Sequence, residues 1–455
     1  MANTHVSFTK YGWSSCLWIL VIGFQYGYHI SALNQIQAVL TCKIANPSLF
    51  PPYKYVPTTC IPMSDFTFSF VTAIFTVGGL AGSLVANLIM DRWGRKGASK
   101  ICAVLMAGGS GLFGISGSVV SLLLGRFLVG VGSGIGLCVG PIFLAEIAPA
   151  QISGSVGVLT QLGIVLGIMV TQMVGIRFAT PTGWRLVFLF SCLLSLLQIL
   201  TSPLMVESPA WLLKRRHFDD YHKVVSKLWG RKPPVELEES LLEEAQQSDD
   251  NHIPNVNVPQ LFALRELRRP LAIVSLAMLS QQISGINAVL YYSNNILAKS
   301  LPEFGPYVSL GITVVNVLMT FPPIVLIERM GRKPLLTISI LGALASLTCI
   351  GFGLNIGSVS LSSVAIVTFV MSFAIGLGPI PFVMIPDVSP AHAVSAISSV
   401  ALSLNWIANF IVGLVFLPLR NFLAGGDMLK EGRIFYVFVI LLFSSTFMLS
   451  RMYRG

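Results

Sequence analysis

Charge is scarce in this chain. Only 11% of its 455 residues are Asp, Glu, Lys or Arg, against roughly 25% in soluble domains, which excludes an ordinary water-soluble protein. Chemical signatures are missing as well. No Gly-rich loop is followed by Lys and Ser or Thr, no metal-ligand cluster is evident, and no nucleophile has a base placed beside it, so neither an enzyme nor a metal or cofactor protein is expected. No small-residue cleavage site follows a short apolar run near Met1, so no cleavable signal is expected. The formal net charge of +10 raises the question of nucleic acid. The basic residues, however, gather at the ends of apolar segments instead of forming a basic patch interleaved with aromatics, and nucleic acid is set aside.

What the chain has in excess is apolar length. It is 54% hydrophobic with a mean hydropathy of +0.77. Apolar runs of about 20 residues recur about twelve times, each able to cross about 30 Å of hydrocarbon. An all-α polytopic membrane protein follows, its first span running from about Tyr11 to Asn34. With the N-terminus inside, Arg92, Arg95, Lys96, Lys100, Lys214, Arg215, Arg216, Arg329, Arg332 and Lys333 all fall on the cytoplasmic side, as the positive-inside rule requires. Both termini are then cytoplasmic. Composition turns soluble between Leu212 and Arg269, with an acidic run from Glu236 to Glu244, which gives a division into residues 1–206, a cytoplasmic linker 207–269 with short helices, and residues 270–455. The outer loop from Gln35 to Ser64 carries Cys42 and Cys60, which an oxidising compartment would join in a disulfide and a reducing one would leave as two thiols. The other five cysteines lie in spans and read as small apolar residues.

One stretch stands out against the apolar background: QQISGINAVLYYSNN, Gln281 to Asn295. Bare amides cost several kcal/mol in hydrocarbon unless they face protein or water, so these side chains read as the wall of a polar cavity. On an unbroken helix Asn287 would lie roughly 140° around from Gln282. A local unwinding at Gly285 would bring both inward, as in the broken helices that build midplane sites.

Two patterns return at nearly the same offset. Asp91-Arg92-Trp93-Gly94-Arg95-Lys96 is matched by Glu328-Arg329-Met330-Gly331-Arg332-Lys333, and Gly140-Pro141-Ile142 with Glu146 by Gly378-Pro379-Ile380 with Asp387. Independent repeats of this kind indicate duplicated halves. With GFQYGYH (Gly23 to His29), GRFLVGVGSG (Gly125 to Gly134), QLGIVLG (Gln161 to Gly167), ESPAWLL (Glu207 to Leu213), GPIPF (Gly378 to Phe382) and NWIANFIVG (Asn405 to Gly413), the chain resembles a sugar porter of the major facilitator superfamily over nearly its whole length. The outer-loop cysteines and short tail are also similar to fungal members associated with the vacuole.

The resemblance implies twelve transmembrane helices in two pseudo-symmetric six-helix halves, working as a monomer in a vacuolar or plasma membrane. It implies alternating-access transport of a hexose or related polyol, as a facilitator or a proton symporter. Any uphill transport would use an ion gradient. The implied substrate residues are Gln161, Gln281, Gln282, Asn287, Asn316, Phe382, Asn405 and Asn409, whose neutral amides offer the donors and acceptors that hydroxyls need. The implied gate latches are Arg92, Arg95, Glu146, Arg329, Arg332 and Asp387. The chain departs from the family pattern at Ser153 (Arg in relatives), Ala374 (acidic), Phe382 (Trp) and His29 (Asn in facilitators, Asp in proton-coupled relatives). Phe382 can still stack on a sugar face but lacks an indole donor. His29 and Arg126 sit at similar depth and form a proton-coupling candidate; a nearby guanidinium and burial would favour a neutral imidazole near pH 7. The plainer reading of His29 is a hydrogen-bonded neutral side chain in a facilitator. A sugar sensor or trafficking component that moves little substrate is the alternative class, with the linker as its partner surface.

Overall fold

The structure is a computed structural model that describes residues 8–33, 35–42, 60–230, 256–287, 289–290, 307–427 and 430–453. The acidic run of the linker and the stretch from Tyr291 to Asn295 lie outside the described residues. The described part is helical: α1 Lys10–Ser31, α2 Gln37–Leu40, α3 Asp65–Gly114, α4 Val119–Ile147, α5 Ser153–Phe178, α6 Trp184–Thr201, α7 Pro209–Lys214, α8 Phe218–Trp229, α9 Val258–Ala263, α10 Arg265–Ile283, α11 Val308–Met330, α12 Arg332–Asn355, α13 Val359–Ile375, α14 Ile380–Val388, α15 Val394–Ala424 and α16 Arg433–Met452.

Local chemistry sets where many of these begin. Thr9 accepts the Gly12 N–H at the start of α1, Ser64 that of Thr67 at α3, Ser208 that of Trp211 at α7 and Ser358 that of Leu361 at α13. Ser118 and Ser121 close a reciprocal capping box on α4.

Nine described helices are long and apolar enough to cross a membrane. One of them runs 49 residues from Phe66 to Gly114, far beyond the roughly 20 residues that a crossing needs, and it breaks at Gly94. Counting that run as two crossings, and adding α1 and the interrupted α10, gives the twelve spans that the resemblance implies. The duplication is visible in the backbone. Gly94 has φ +75° and ψ −177°, and Gly331, its counterpart in the second half, φ +82° and ψ +175°. Only glycine adopts this conformation readily, so the same residue makes the same reversal between helices in both halves.

The exterior carries many large apolar side chains: Leu17, Leu88, Leu200, Leu318, Leu341, Val364 and Ile440 all point outward, as a chain solvated by lipid requires. Inside, one apolar cluster belongs almost wholly to the second half, around Leu347, Phe369 and Phe435. Another, with Ile22, Met90, Ile397 and Trp406, is shared between halves. Two helix pairs carry the seam, α3 with α15 and α5 with α11. In span order these are second with eleventh and fifth with eighth, so the duplication exchanges one pair for the other. Cys42 and Cys60 are joined by a disulfide across a Cα separation of 5.3 Å. Of the linker, α7, α8 and α9 are described, and α7 and α8 bury Leu212, Leu213, Tyr221 and Val225 against the base of the first half.

Candidate functional site

The polar stretch breaks where the sequence places a glycine. α10 ends at Ile283, Gly285 takes φ +77°, and the helical hydrogen bonding resumes with the Val289 N–H on Gly285 O at 2.8 Å. The break turns Asn287 back toward the preceding turn, where its Nδ2 donates to Gln282 Oε1 at 3.0 Å and to Asn409 Oδ1 at 3.1 Å. A second break faces the first. Between α13 and α14 the chain from Gly376 to Pro379 forms a turn, with Gly376 at φ −146° and ψ −57°, held by the Leu377 N–H on Ser339 Oγ at 2.8 Å. The carbonyls freed there are taken up by Gln281, whose Nε2 donates to Gly378 O at 2.9 Å and to Leu377 O at 3.3 Å.

Between the breaks the amides form a continuous run. Asn405 Nδ2 donates to Gln281 Oε1 at 3.2 Å and to Met278 O at 2.9 Å, and its Oδ1 accepts from Gln282 Nε2 at 3.1 Å. Gln281, Gln282 and Asn405 are buried while Asn287 and Asn409 are half-buried, so the run leads from the protein interior to an accessible end. Gln161 reaches the same place from the first half: a Cβ built on Gly378 would lie 3.2 Å from Gln161 Nε2. Asn316 is buried and its Oδ1 has no partner among the described residues. Phe382 is buried in the shared apolar cluster with Trp406. Trp406 had no part in the substrate set read from sequence, although it lies between Asn405 and Asn409 in chain order. It stands edge-on to Tyr26 and Phe75, with ring centroids 5.7 Å away in each case, and its buried indole N–H has no partner among the described residues.

His29 and Arg126 are neighbours, but not through the imidazole. Arg126 Nη1 donates to the backbone oxygen of His29 at 2.9 Å, and its guanidinium lies 4.7 Å from the Phe75 ring centroid. The ring of His29 turns the other way, its Nε2 2.8 Å from Ser191 Oγ and 3.1 Å from Ser110 Oγ. Ser191 and Ser195 both donate to Gln25 Oε1. The imidazole therefore belongs to a buried hydroxyl cluster between α1, α3 and α6. No carboxylate bonds to His29 or Arg126 among the described residues.

At the basic end of the bundle each half closes a pair of its own. Arg95 Nε and Nη2 form a two-pronged contact with Glu146, both at 2.8 Å, and Arg332 Nε meets Asp387 Oδ2 at 2.8 Å. Arg92 and Arg329 do not join these pairs. Arg92 precedes the Gly94 break and lies over Trp93 at 5.0 Å, and Arg329 is exposed. Two carboxylates outside the sequence-derived set act at the same end. Glu207 accepts the backbone N–H groups of Arg95 at 2.8 Å, Lys96 at 3.0 Å and Ser208 at 2.9 Å, so it caps the helix that restarts after Gly94. Burial holds its carboxyl above the usual range, and the three N–H groups oppose that shift. Glu328 Oε1 accepts the Ser155 N–H at 2.8 Å across the seam, while Ser155 Oγ donates to Ile324 O at 2.6 Å. Both carboxylates stood in motifs read from the sequence, ESPAWLL and ERMGRK; Glu328 stands beside the Gly331 reversal in the chain, whereas Glu207 meets the Gly94 reversal only in the fold.

Residues 15–452 match the model of the family described as "Sugar (and other) transporter". A probable metabolite transport protein of Saccharomyces cerevisiae is 32% identical over 422 residues, covering 88% of this chain and 85% of its own. The facilitated glucose transporter member 3 of solute carrier family 2 from Canis lupus familiaris is 34% identical over 437 residues, covering 93% and 85%. Among solved structures, the major facilitator superfamily proton:xylose symporter XylE bound to 6-bromo-6-deoxy-D-glucose superposes with a TM-score of 0.82 at 20% identity, covering 98% of this chain and 97% of the other.

Proposed function

Since this chain belongs to the sugar (and other) transporter family, we propose that it carries a hexose or a related polyol across its membrane by alternating access between two halves. The chain is an integral multi-pass membrane protein and a transporter, not an enzyme. The observation that carries the substrate class is the unbroken amide run from Gly378 O through Gln281, Asn405, Gln282 and Asn287 to Asn409. Such a wall holds no net charge and offers donors and acceptors alternately, which suits neighbouring hydroxyls on a ring. We assign the sugar to the space bounded by this run with Gln161, Asn316 and the aromatic faces of Phe382 and Trp406. The halves are residues 1–206 and 270–455, joined by the linker 207–269, and Arg95–Glu146 and Arg332–Asp387, each closed within one half rather than between the two, brace the halves at the cytoplasmic end. We assign both termini to that side from the distribution of the basic motifs, and the chain to a vacuolar or plasma membrane as a monomer.

The transport mode we favour is facilitation. His29 is held by two serines and faces away from the amide run, and no carboxylate accompanies Arg126 among the described residues. The relative named a facilitated glucose transporter is 34% identical, the one named a proton symporter 20%. No observation favours the sensor reading. Uptake of labelled hexoses and polyols into proteoliposomes, with and without an imposed pH gradient, decides the matter. Equilibration indifferent to the gradient, and His29→Asn with unchanged pH dependence, are expected. Accumulation above equilibrium only with the gradient would establish proton symport instead.

A further inference from the structure

Four arginines converge away from the amide run and from the Arg95–Glu146 and Arg332–Asp387 pairs. Arg265, Arg268 and Arg269 on the first turns of α10, with Arg451 and Met452 at the end of α16, line an open concavity of about 510 Å³. The two elements are tied there by Arg269 Nη2, which donates to Met452 O at 3.0 Å. Arg268 Nε donates to Phe262 O at 3.2 Å, and the Arg451 guanidinium lies over Phe447 at 5.1 Å. A guanidinium has five N–H donors, so these contacts leave most of them open. The ion pairs seen at Arg95, Lys223, Arg332 and Lys430 do not involve these four arginines. Glu266 is the one carboxylate in the first turn of α10, and that turn has no side-chain cap on its N–H groups.

We propose that this concavity binds the phosphorylated headgroup of an anionic lipid in the leaflet at the basic end of the bundle. Convergent guanidinium forks match phosphate oxygens two at a time, which scattered lysines serving only topology would not do. A lipid is favoured over a soluble anion by what flanks the arginines. Phe262 and Leu264 on one side and Phe447 and Met448 on the other are all more than 40% exposed, an apolar collar that acyl chains can cover. The location agrees, because α10 enters and α16 leaves the apolar layer at this level. Occupancy would brace α10 against α16, which already share the Ser280–Ser445 hydrogen bond at 3.0 Å, one residue before the Gln281 amide.

The test is native mass spectrometry of the full chain in detergent with phosphatidylinositol 4-phosphate, phosphatidylcholine and inorganic phosphate as probes. The wild type should retain one phosphatidylinositol 4-phosphate per chain and show no preference for phosphatidylcholine. Arg265→Gln/Arg268→Gln/Arg451→Gln should lower the retained fraction at least tenfold, and Phe262→Ser/Leu264→Ser severalfold. Equal retention by the wild type and the triple variant overturns the proposal. Full displacement of the lipid by millimolar inorganic phosphate, with no effect of the Phe262→Ser/Leu264→Ser change, overturns it in favour of a soluble anion site. Lipid retention is read without sugar, and hexose uptake by the triple variant into phosphatidylcholine vesicles should match the wild type, so failure here is distinguishable from failure of the sugar assignment.

Discussion

Replacing Gly285 by alanine tests the architecture of the site most directly. Gly285 holds φ +77°, and a Cβ there would come within 2.9 Å of Phe438 Cγ. Keeping positive φ costs an alanine roughly 1 kcal/mol, and shifting the Phe438 ring, which lies 6.3 Å from Phe416, costs about 1 kcal/mol more at the low end of overpacking. The relief is a continuous helix, which swings Asn287 roughly 140° away from Gln282 and breaks both of its amide contacts. If about 2 kcal/mol favours that escape, the binding-competent population falls by as much as roughly 30-fold, at 1.4 kcal/mol per factor of ten. The apparent affinity falls by the same factor. Hexose uptake into proteoliposomes should therefore show KM raised about 10- to 30-fold with a smaller change in Vmax. Gly285→Asn separates the two causes, because Asn is larger but tolerates positive φ; it should retain more uptake than Gly285→Ala if backbone geometry dominates. Wild-type KM and Vmax in Gly285→Ala would refute the reasoning.

Three further outcomes are expected. Gln282→Ala removes the donor to Asn405 Oδ1 and the acceptor for Asn287 Nδ2, two neutral hydrogen bonds at about 1 kcal/mol each; KM should rise about tenfold or more, and a change below about twofold would take Gln282 out of the substrate wall. Glu146→Gln leaves Arg95 buried without its carboxylate, a loss of about 3 kcal/mol, whereas Asp387→Asn at the more exposed pair should cost about 1 kcal/mol or less. Thermal unfolding in detergent should rank them in that order, and equal shifts would contradict it. Glu207 carries a raised folded-state pKa, so its contribution to stability is fully present below the ordinary carboxylate range and is lost as pH rises through the raised value. Stability in detergent should fall across that window in the wild type, while Glu207→Gln should flatten this part of the pH profile; an unchanged profile would exclude Glu207 as the source.

Much of this was legible from pattern alone, because the bilayer leaves helices few alternatives. Run length gave the spans, and the repeated Asp-Arg-Trp-Gly-Arg-Lys and Glu-Arg-Met-Gly-Arg-Lys motifs marked two reversals with the same glycine geometry. The break at Gly285 followed from a single misfit, an amide on the wrong face of a helix. What pattern did not carry was rotation. Arg92 and Arg95 are equally plausible latch residues by position, yet the Gly94 reversal lies between them, turning one toward Glu146 and the other over Trp93. His29 lies at the depth of Arg126, but a helix presents a residue's carbonyl and its side chain in different directions, so Arg126 meets the oxygen while the imidazole meets α6. Glu207 and Trp406 were passed over for a related reason: each acts on groups that sequence does not display, free N–H groups after a helix break in one case and an indole edge inside an apolar cluster in the other.

The chemistry of the seam bears on how such a chain can alternate. Among the described residues, serines make cross-half hydrogen bonds: Ser83 with Ser403 at 2.9 Å, Ser399 on the Ser83 carbonyl, Ser398 on the Cys138 carbonyl at 3.4 Å, and Ser155 on Glu328 and Ile324. The two-pronged ion pair of Arg95 with Glu146, and that of Arg332 with Asp387, lie within a half instead. Neutral hydrogen bonds contribute about 1 kcal/mol each and the one from the Ser155 N–H to the Glu328 carboxylate about 1.5–3 kcal/mol, so parting the seam exchanges a handful of modest contacts, whereas parting a buried ion pair would cost several kcal/mol on its own. A sugar can shift an equilibrium only by its differential affinity for the two states, which makes a seam of hydroxyls a workable one. The strong charges are then free to stiffen each half, so that the halves move as bodies and the amide run keeps its geometry while access to it changes sides.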